Sequence, residues 1–323
     1  MIDVRSAVAC TRILVAISIS IGAAEYLAIS SQFAGFGIFS DRVYRLNWIH
    51  GPRVLVGFYR TIFSYRAVRV RHAIHLGLAL LLFMNLGLRF YSLILAILFF
   101  NQLITSFNQT GLGHDGSDHM LLVVTPALSV AYAFRLKGPE AWIALSFIVA
   151  QSALAYATSG ISKLISPVWR SGRSLPLIFN TAGYGSSHVS ALLARVPAFA
   201  IIGSWTVIVF ECTMPLVLIA PRGIMISMLL FACLFHLGCA LAMGLNCFFW
   251  SFASTFPLLY LCNVDRIYVV SELELGDKIG LLAGCAFALV VVGAVLGRYY
   301  DIVFYLRKVT SVLRNSAVRG FRN

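Results

Sequence analysis

The sequence predicts an all-α fold: a polytopic integral membrane helical bundle of about nine transmembrane helices. Three observations carry that expectation. First, 60% of the 323 residues are hydrophobic, only 11% are charged, and the mean hydropathy is +0.88. A soluble chain carries about 25% charged residues, so the polar surface here is too small to coat a water-exposed globule. A soluble enzyme, a nucleic-acid module and a disordered tail are all disfavoured on that ground. Second, the apolar runs are continuous rather than alternating, which suits helices and not barrel strands. Third, the net charge of +13 is carried mainly by arginine, with only four lysines among the 25 basic residues. Basic residues between apolar runs set topology and touch anionic headgroups. Binding nucleic acid would need a folded basic face, and no soluble domain is present to carry one.

Each crossing needs about 20 mostly apolar residues. Nine runs qualify, near 9–30, 72–88, 90–110, 119–135, 140–163, 197–220, 223–245, 247–263 and 279–297. Arg12 interrupts the plan of a cleavable signal peptide, so the first run is expected to remain in the mature protein. Three regions follow. Residues 1–71 hold the first helix and a basic interfacial segment, 72–263 the membrane core, and 264–323 an acidic loop, a last helix and a basic tail. Within the first region, 52–70 mixes apolar residues with spaced arginines. That suits an amphipathic helix lying in the interface, or an irregular basic loop. The seven cysteines include no Cys-x-x-Cys and read as buried small hydrophobes before they read as disulfides. With nine spans, seventeen basic residues fall on one side and eight on the other, which puts the amino terminus outside and the tail in the cytoplasm.

Ionisable groups inside apolar runs cost several kcal/mol unless paired or hydrated, so each is a functional candidate. Tyr156, Gly160 and Lys163 lie at i, i+4 and i+7, one stripe of a helix, with Trp169, Arg170 and Gly172 beyond. A desolvated lysine serves as a base or nucleophile, whereas a lysine at a helix end snorkels to the headgroups. Residues 113–119 carry two histidines and two aspartates in six positions, a metal set by residue type but without a metal motif's spacing, and equally a polar turn before a helix. His119 opens the fourth run and is expected on the same side of the membrane as Lys163. Glu211 lies mid-run, four residues before Pro215, and either shuttles a proton or ties helices together. His236 shares a face with Ala240 and Gly244. Glu211 and His236 are expected on adjacent helices, both facing the bundle interior.

In order along the chain, these pieces resemble the horizontally transferred transmembrane (HTTM) domain family, which includes the membrane domain of vitamin K-dependent gamma-carboxylase. The resemblance runs over roughly 72–262. It rests on Leu86-Gly87-Leu88-Arg89, Asp118-His119-Met120-Leu121-Leu122, Tyr156-x3-Gly160-x2-Lys163-Leu164 with Trp169 and Gly172, Glu211-x3-Pro215, and Phe235-His236 with the later Gly244-x3-Phe248. It implies Lys163 as the base that deprotonates a hydroquinone and His119 as its hydrogen-bonding or electrostatic partner. Tyr156, Gly160, Trp169, Glu211 and His236 then bind or support, and no metal is involved. A quinone or hydroquinone is the implied cofactor. Ser162 stands where the carboxylase has a second lysine, and the large extramembrane region that grips its protein substrate has no counterpart before residue 323.

The length suits bacterial relatives that mature a secreted sporulation-delaying toxin. A small secreted peptide is therefore the implied protein partner, beside the lipid bilayer of the inner membrane, and no nucleic acid is expected. The family keeps its lysine on the side opposite to the one the arginine count assigns. Two functions are thus expected from the sequence: chemistry on a lipophilic, quinol-like or peptide substrate with Lys163 as base, or a non-catalytic membrane partner for maturing or exporting a toxin-like peptide.

Overall fold

The computed structural model describes residues 3–35, 61–109, 116–181 and 183–272, with isolated positions at 37, 39, 40 and 57. Every regular element among them is helical. The order is α1 (Val4–Ala28), a 3-10 turn (Ser30–Phe33), α2 (Tyr65–Leu81), α3 (Leu88–Gln109), α4 (Gly116–Ala133) and α5 (Gly138–Ile165). Three short helices follow: α6 (Pro167–Arg170), α7 (Ser174–Phe179) and α8 (Ser187–Arg195). The described chain ends with α9 (Pro197–Thr213), a 3-10 turn (Met214–Leu218), α10 (Arg222–Met243), α11 (Asn246–Ala253) and α12 (Phe256–Glu272).

Eight of the nine expected runs are helical, and the ninth, 279–297, lies outside the described residues. Among the described residues, six helical stretches are long and apolar enough to cross a membrane: 4–28, 88–106, 138–165, 197–218, 222–243 and 246–264. The other two are α2, with 17 residues, and α4, with 18 residues and an internal Pro126. Large apolar side chains on the outside of the long helices support a lipid environment. Ile143 on α5 is 69% exposed, Leu234 on α10 66% and Leu241 81%. Patches of this kind are not left facing water. The described part of the chain is thus all-helical, with the helix length and composition of a multi-pass membrane protein.

The ends of several elements are visible in local chemistry. Asp3 caps α1, its Oδ1 accepting the Ser6 amide at 2.8 Å. Hydrogen bonds from Ser6 hold that carboxyl below its usual value. Ser64 caps α2 by accepting the Ala67 amide at 3.3 Å. This cap moves the second run toward the amino terminus. Its helix begins at Tyr65 and ends at Leu81, so Arg66, Arg69 and Arg71 ride on a helix rather than preceding it. Residues 52–56 and 58–60 of the expected interfacial helix lie outside the described residues. Pro215 stands inside the 3-10 turn that follows α9. A ring with no N–H cannot continue the α pattern. The eighth run divides at Ser254–Thr255, whose hydroxyls bond back to the carbonyls of Ser251 and Phe252 at 2.6 and 2.8 Å.

The core runs through α1, α3, α4 and α5, where Val15, Leu95, Leu98, Val124, Leu128 and Ile148 have no exposed surface. Lipid tails are as apolar as leucine, so close packing and interhelical hydrogen bonds must hold such helices together. The structure supplies both. Ser18 of α1 meets Ser251 of α11 at 2.8 Å, and Ser152 of α5 meets Thr255 at 3.0 Å. Ser129 of α4 donates to the Ser92 carbonyl of α3 at 2.8 Å. Asn263 of α12 donates to the carbonyls of Val217 and Ala220 at 2.7 and 3.0 Å. Arg12, 9% exposed within α1, places its guanidinium 3.9 Å from the centre of the Tyr91 ring. That is a cation–π contact inside the bundle.

Candidate functional site

The stripe on α5 meets α9 at a point fixed by Gly160. A Cβ there would lie 2.5 Å from the Cys212 amide nitrogen and 2.8 Å from the Glu211 carbonyl carbon. Only glycine admits this approach, and it brings the last turn of α5 against the Glu211 side chain. Lys163, one turn further, donates from Nζ to Glu211 Oε2 and to Ser159 Oγ, each at 2.5 Å. The Trp169 ring, carried on α6, lies 5.2 Å from the same nitrogen. Lys163 is 19% exposed and Glu211 9%. The ammonium also lies in the last turn of α5, where the helix dipole favours positive charge.

The segment after α5 walls this pair. Trp205 of α9 donates its indole N–H to the Arg170 carbonyl at 3.2 Å. Gly172, at φ +76°, turns the chain so closely over α9 that a Cβ would lie 2.8 Å from the Ile201 backbone. Helix α9 extends fourteen residues from Pro197 to Glu211, about 21 Å at 1.5 Å per residue.

A second polar contact adjoins the first, about two turns back along α5 from Lys163. The Tyr156 hydroxyl lies 2.6 Å from His236 Nε2 on α10, and both residues are buried. Phe252 stacks on the imidazole at 4.6 Å, while Phe235 and Phe248 meet its edge. Phe210, next to Glu211, contacts Tyr156 at 5.6 Å. The aromatic cage fixes the imidazole, so its one polar contact sets the orientation of the phenol.

The structure thus brings together Tyr156, Gly160, Lys163, Trp169, Glu211 and His236. Glu211 and His236 are both buried, but each pairs with α5 rather than with the other. His119 is not among the partners of Lys163. It is exposed in the first turn of α4. The α4–α5 hairpin closes at 134–137, which sets His119 beside about residue 152 and Lys163 roughly 16 Å further along α5. His114 and Asp115 lie outside the described residues. Among the described residues, no three His, Cys, Asp or Glu side chains gather as a metal set.

Ser159 joins the site without having stood out in the sequence, although its i−4 spacing from Lys163 is the signal that reveals it. Asn101, Gln102, His72 and His75 are likewise polar side chains in or beside apolar runs, and they line a cavity described below. No family model, no curated protein and no solved structure matches this chain.

Proposed function

We propose that this is a membrane enzyme of the HTTM, gamma-carboxylase-like type, with about nine spans in the inner membrane. In this reading Lys163 takes a proton from a lipophilic phenolic substrate of the hydroquinone class. The observation that supports the reading is the Lys163–Glu211 pair, held between α5 and α9 by the close approach at Gly160 and roofed by Trp169. A buried amine–carboxylate pair holds one proton that either partner can carry. With the proton on Glu211, the amine is neutral and accepts the phenolic proton, giving ammonium and phenolate. Ser159 steadies the amine in both states, and the ammonium then sits beside the charge it has created. The donor set fits a phenol: one basic nitrogen, an aromatic roof, and the apolar side chains of α9 for a hydrocarbon body. His119, being remote from Lys163, has no part at the reacting oxygen in this reading.

The test is anaerobic mixing of the detergent-solubilised protein with a short-chain naphthohydroquinone, followed by ultraviolet absorbance. The parent is expected to form the hydroquinone monoanion at neutral pH, and Lys163→Arg to form none, because arginine cannot be deprotonated. No monoanion with the parent, or equal amounts with both, would reject the base.

One observation favours a second reading, a non-catalytic partner for maturing or exporting a small secreted peptide. A lysine satisfied by a carboxylate is also a sound structural tie between helices. Exchange of the two charges, in Lys163→Glu/Glu211→Lys, separates the readings. A tie survives the exchange, whereas a site built around one nitrogen does not.

A further inference from the structure

A second polar chamber lies between α1, α2, α3 and the first turn of α4, away from the Lys163 pair. Its volume is about 60 Å³, room for roughly four waters. His72, His75 and Asn101 line it, and they are only 2%, 6% and 8% exposed. Both nitrogens of His72, Nδ1 of His75 and both polar atoms of the Asn101 carboxamide have no hydrogen-bond partner among the described residues. The same holds for both polar atoms of Gln102, on the adjoining position of α3. Buried polar groups in folded proteins are otherwise almost always paired. Tyr26 of α1 stacks on His72 at 4.4 Å with the rings 8° from parallel, and His75 meets His72 edge-on at 6.0 Å. The imidazoles are thus held by their faces, with their nitrogens left over.

We propose that this chamber binds a small uncharged molecule of the primary amide or urea class. Volume sets the size at about four non-hydrogen atoms, which excludes a lipid chain or an aromatic ring. Chemistry sets the class. A neutral imidazole and a carboxamide each offer a donor and an acceptor, so the occupant must offer both in return. The Asp118 side chain, on the lining, opposes an anion, and the Arg71 guanidinium, whose charge acts on both His72 and His75, opposes a cation. A metal ion lacks a third ligating side chain among the described residues. The site is built at a cost to stability, because unpaired buried polar groups are less stable than apolar groups of the same shape. Water fills the chamber when the solute is absent.

Saturation-transfer NMR on the full chain in deuterated detergent tests the proposal, with acetamide as the probe. Acetone, which has the same number of non-hydrogen atoms but no N–H, is the control. Acetamide should show a saturable signal in the millimolar range, at least five-fold stronger than acetone. Asn101→Leu and His72→Phe should each reduce it at least five-fold, and Asn101→Leu should not lower the melting temperature. His72→Phe retains the ring on Tyr26 and serves if the first variant folds poorly. No saturable acetamide signal in the parent, equal signals from acetamide and acetone, or a signal undiminished in both variants would overturn the proposal. None of these outcomes depends on Lys163, so the proposed base stands or falls separately.

Discussion

Lys163 and Glu211 each carry a cost that the other offsets, and this reciprocity makes single substitutions at the pair informative. Glu211→Leu removes the carboxylate and leaves the ammonium facing apolar side chains. Breaking a buried pair costs about 3–5 kcal/mol, and the partial exposure of Lys163 brings this nearer to about 2–3. Glu211→Gln keeps an acceptor oxygen and should cost about 1 kcal/mol. Thermal melting in one detergent ranks them, and equal melting temperatures would show the pair to be hydrated. Gly160 should be as sensitive for a steric reason. Gly160→Ala drives a methyl into the backbone at Cys212, and overpacking of that kind costs about 1–3 kcal/mol. An unchanged melting temperature in Gly160→Ala would mean that α5 and α9 do not approach this closely.

Helices separate by how much their own sequence decides. The long apolar runs of α1, α5, α9 and α10 were legible, because continuous apolarity over twenty residues has one stable solution in lipid. The start of α2 was not, since arginine-rich turns can join a helix when their long stems reach an interface. The division between α11 and α12 was missed because serine and threonine back-bonding leaves no gap in hydropathy. Lys163, Glu211, Tyr156 and His236 were legible singly, as costly groups in apolar runs. Their pairing was not, because it depends on how far α5 and α9 slide past each other, and Gly160 sets that only once the two are in contact. At this scale Asn263 is a tie between α12 and the turn after α9. Asn263→Leu leaves two carbonyls without their donor and should lower stability by about 1–2 kcal/mol in detergent melts. A neutral result would mean that the turn finds other donors.

Across the whole molecule, alternating helix direction carries the sidedness that arginine counting and family resemblance assign in opposite senses. The α4–α5 hairpin puts its own turn at one end and the start of α4 at the other, with the last third of α5 continuing beyond it. Single cysteines at His119, Tyr184 and Lys137, all exposed positions, report this in a background without native cysteine. His119→Cys and Tyr184→Cys should label from one side of the membrane and Lys137→Cys from the other. Labelling of His119→Cys and Tyr184→Cys from opposite faces would remove α5 as a single crossing, and with it the frame of the Lys163 site.

The proposed base is tested most directly by what the protein carries out of the membrane at that site. Mass spectrometry of lipids retained after purification in mild detergent measures this whatever the reaction. The parent should retain a quinone- or hydroquinone-class lipid well above its share of the membrane extract. Lys163→Ala and Lys163→Arg, checked as folded by their melting curves, should retain at least ten-fold less. Equal retention in all three proteins, or no enrichment in the parent, would contradict a lipophilic phenol bound at Lys163.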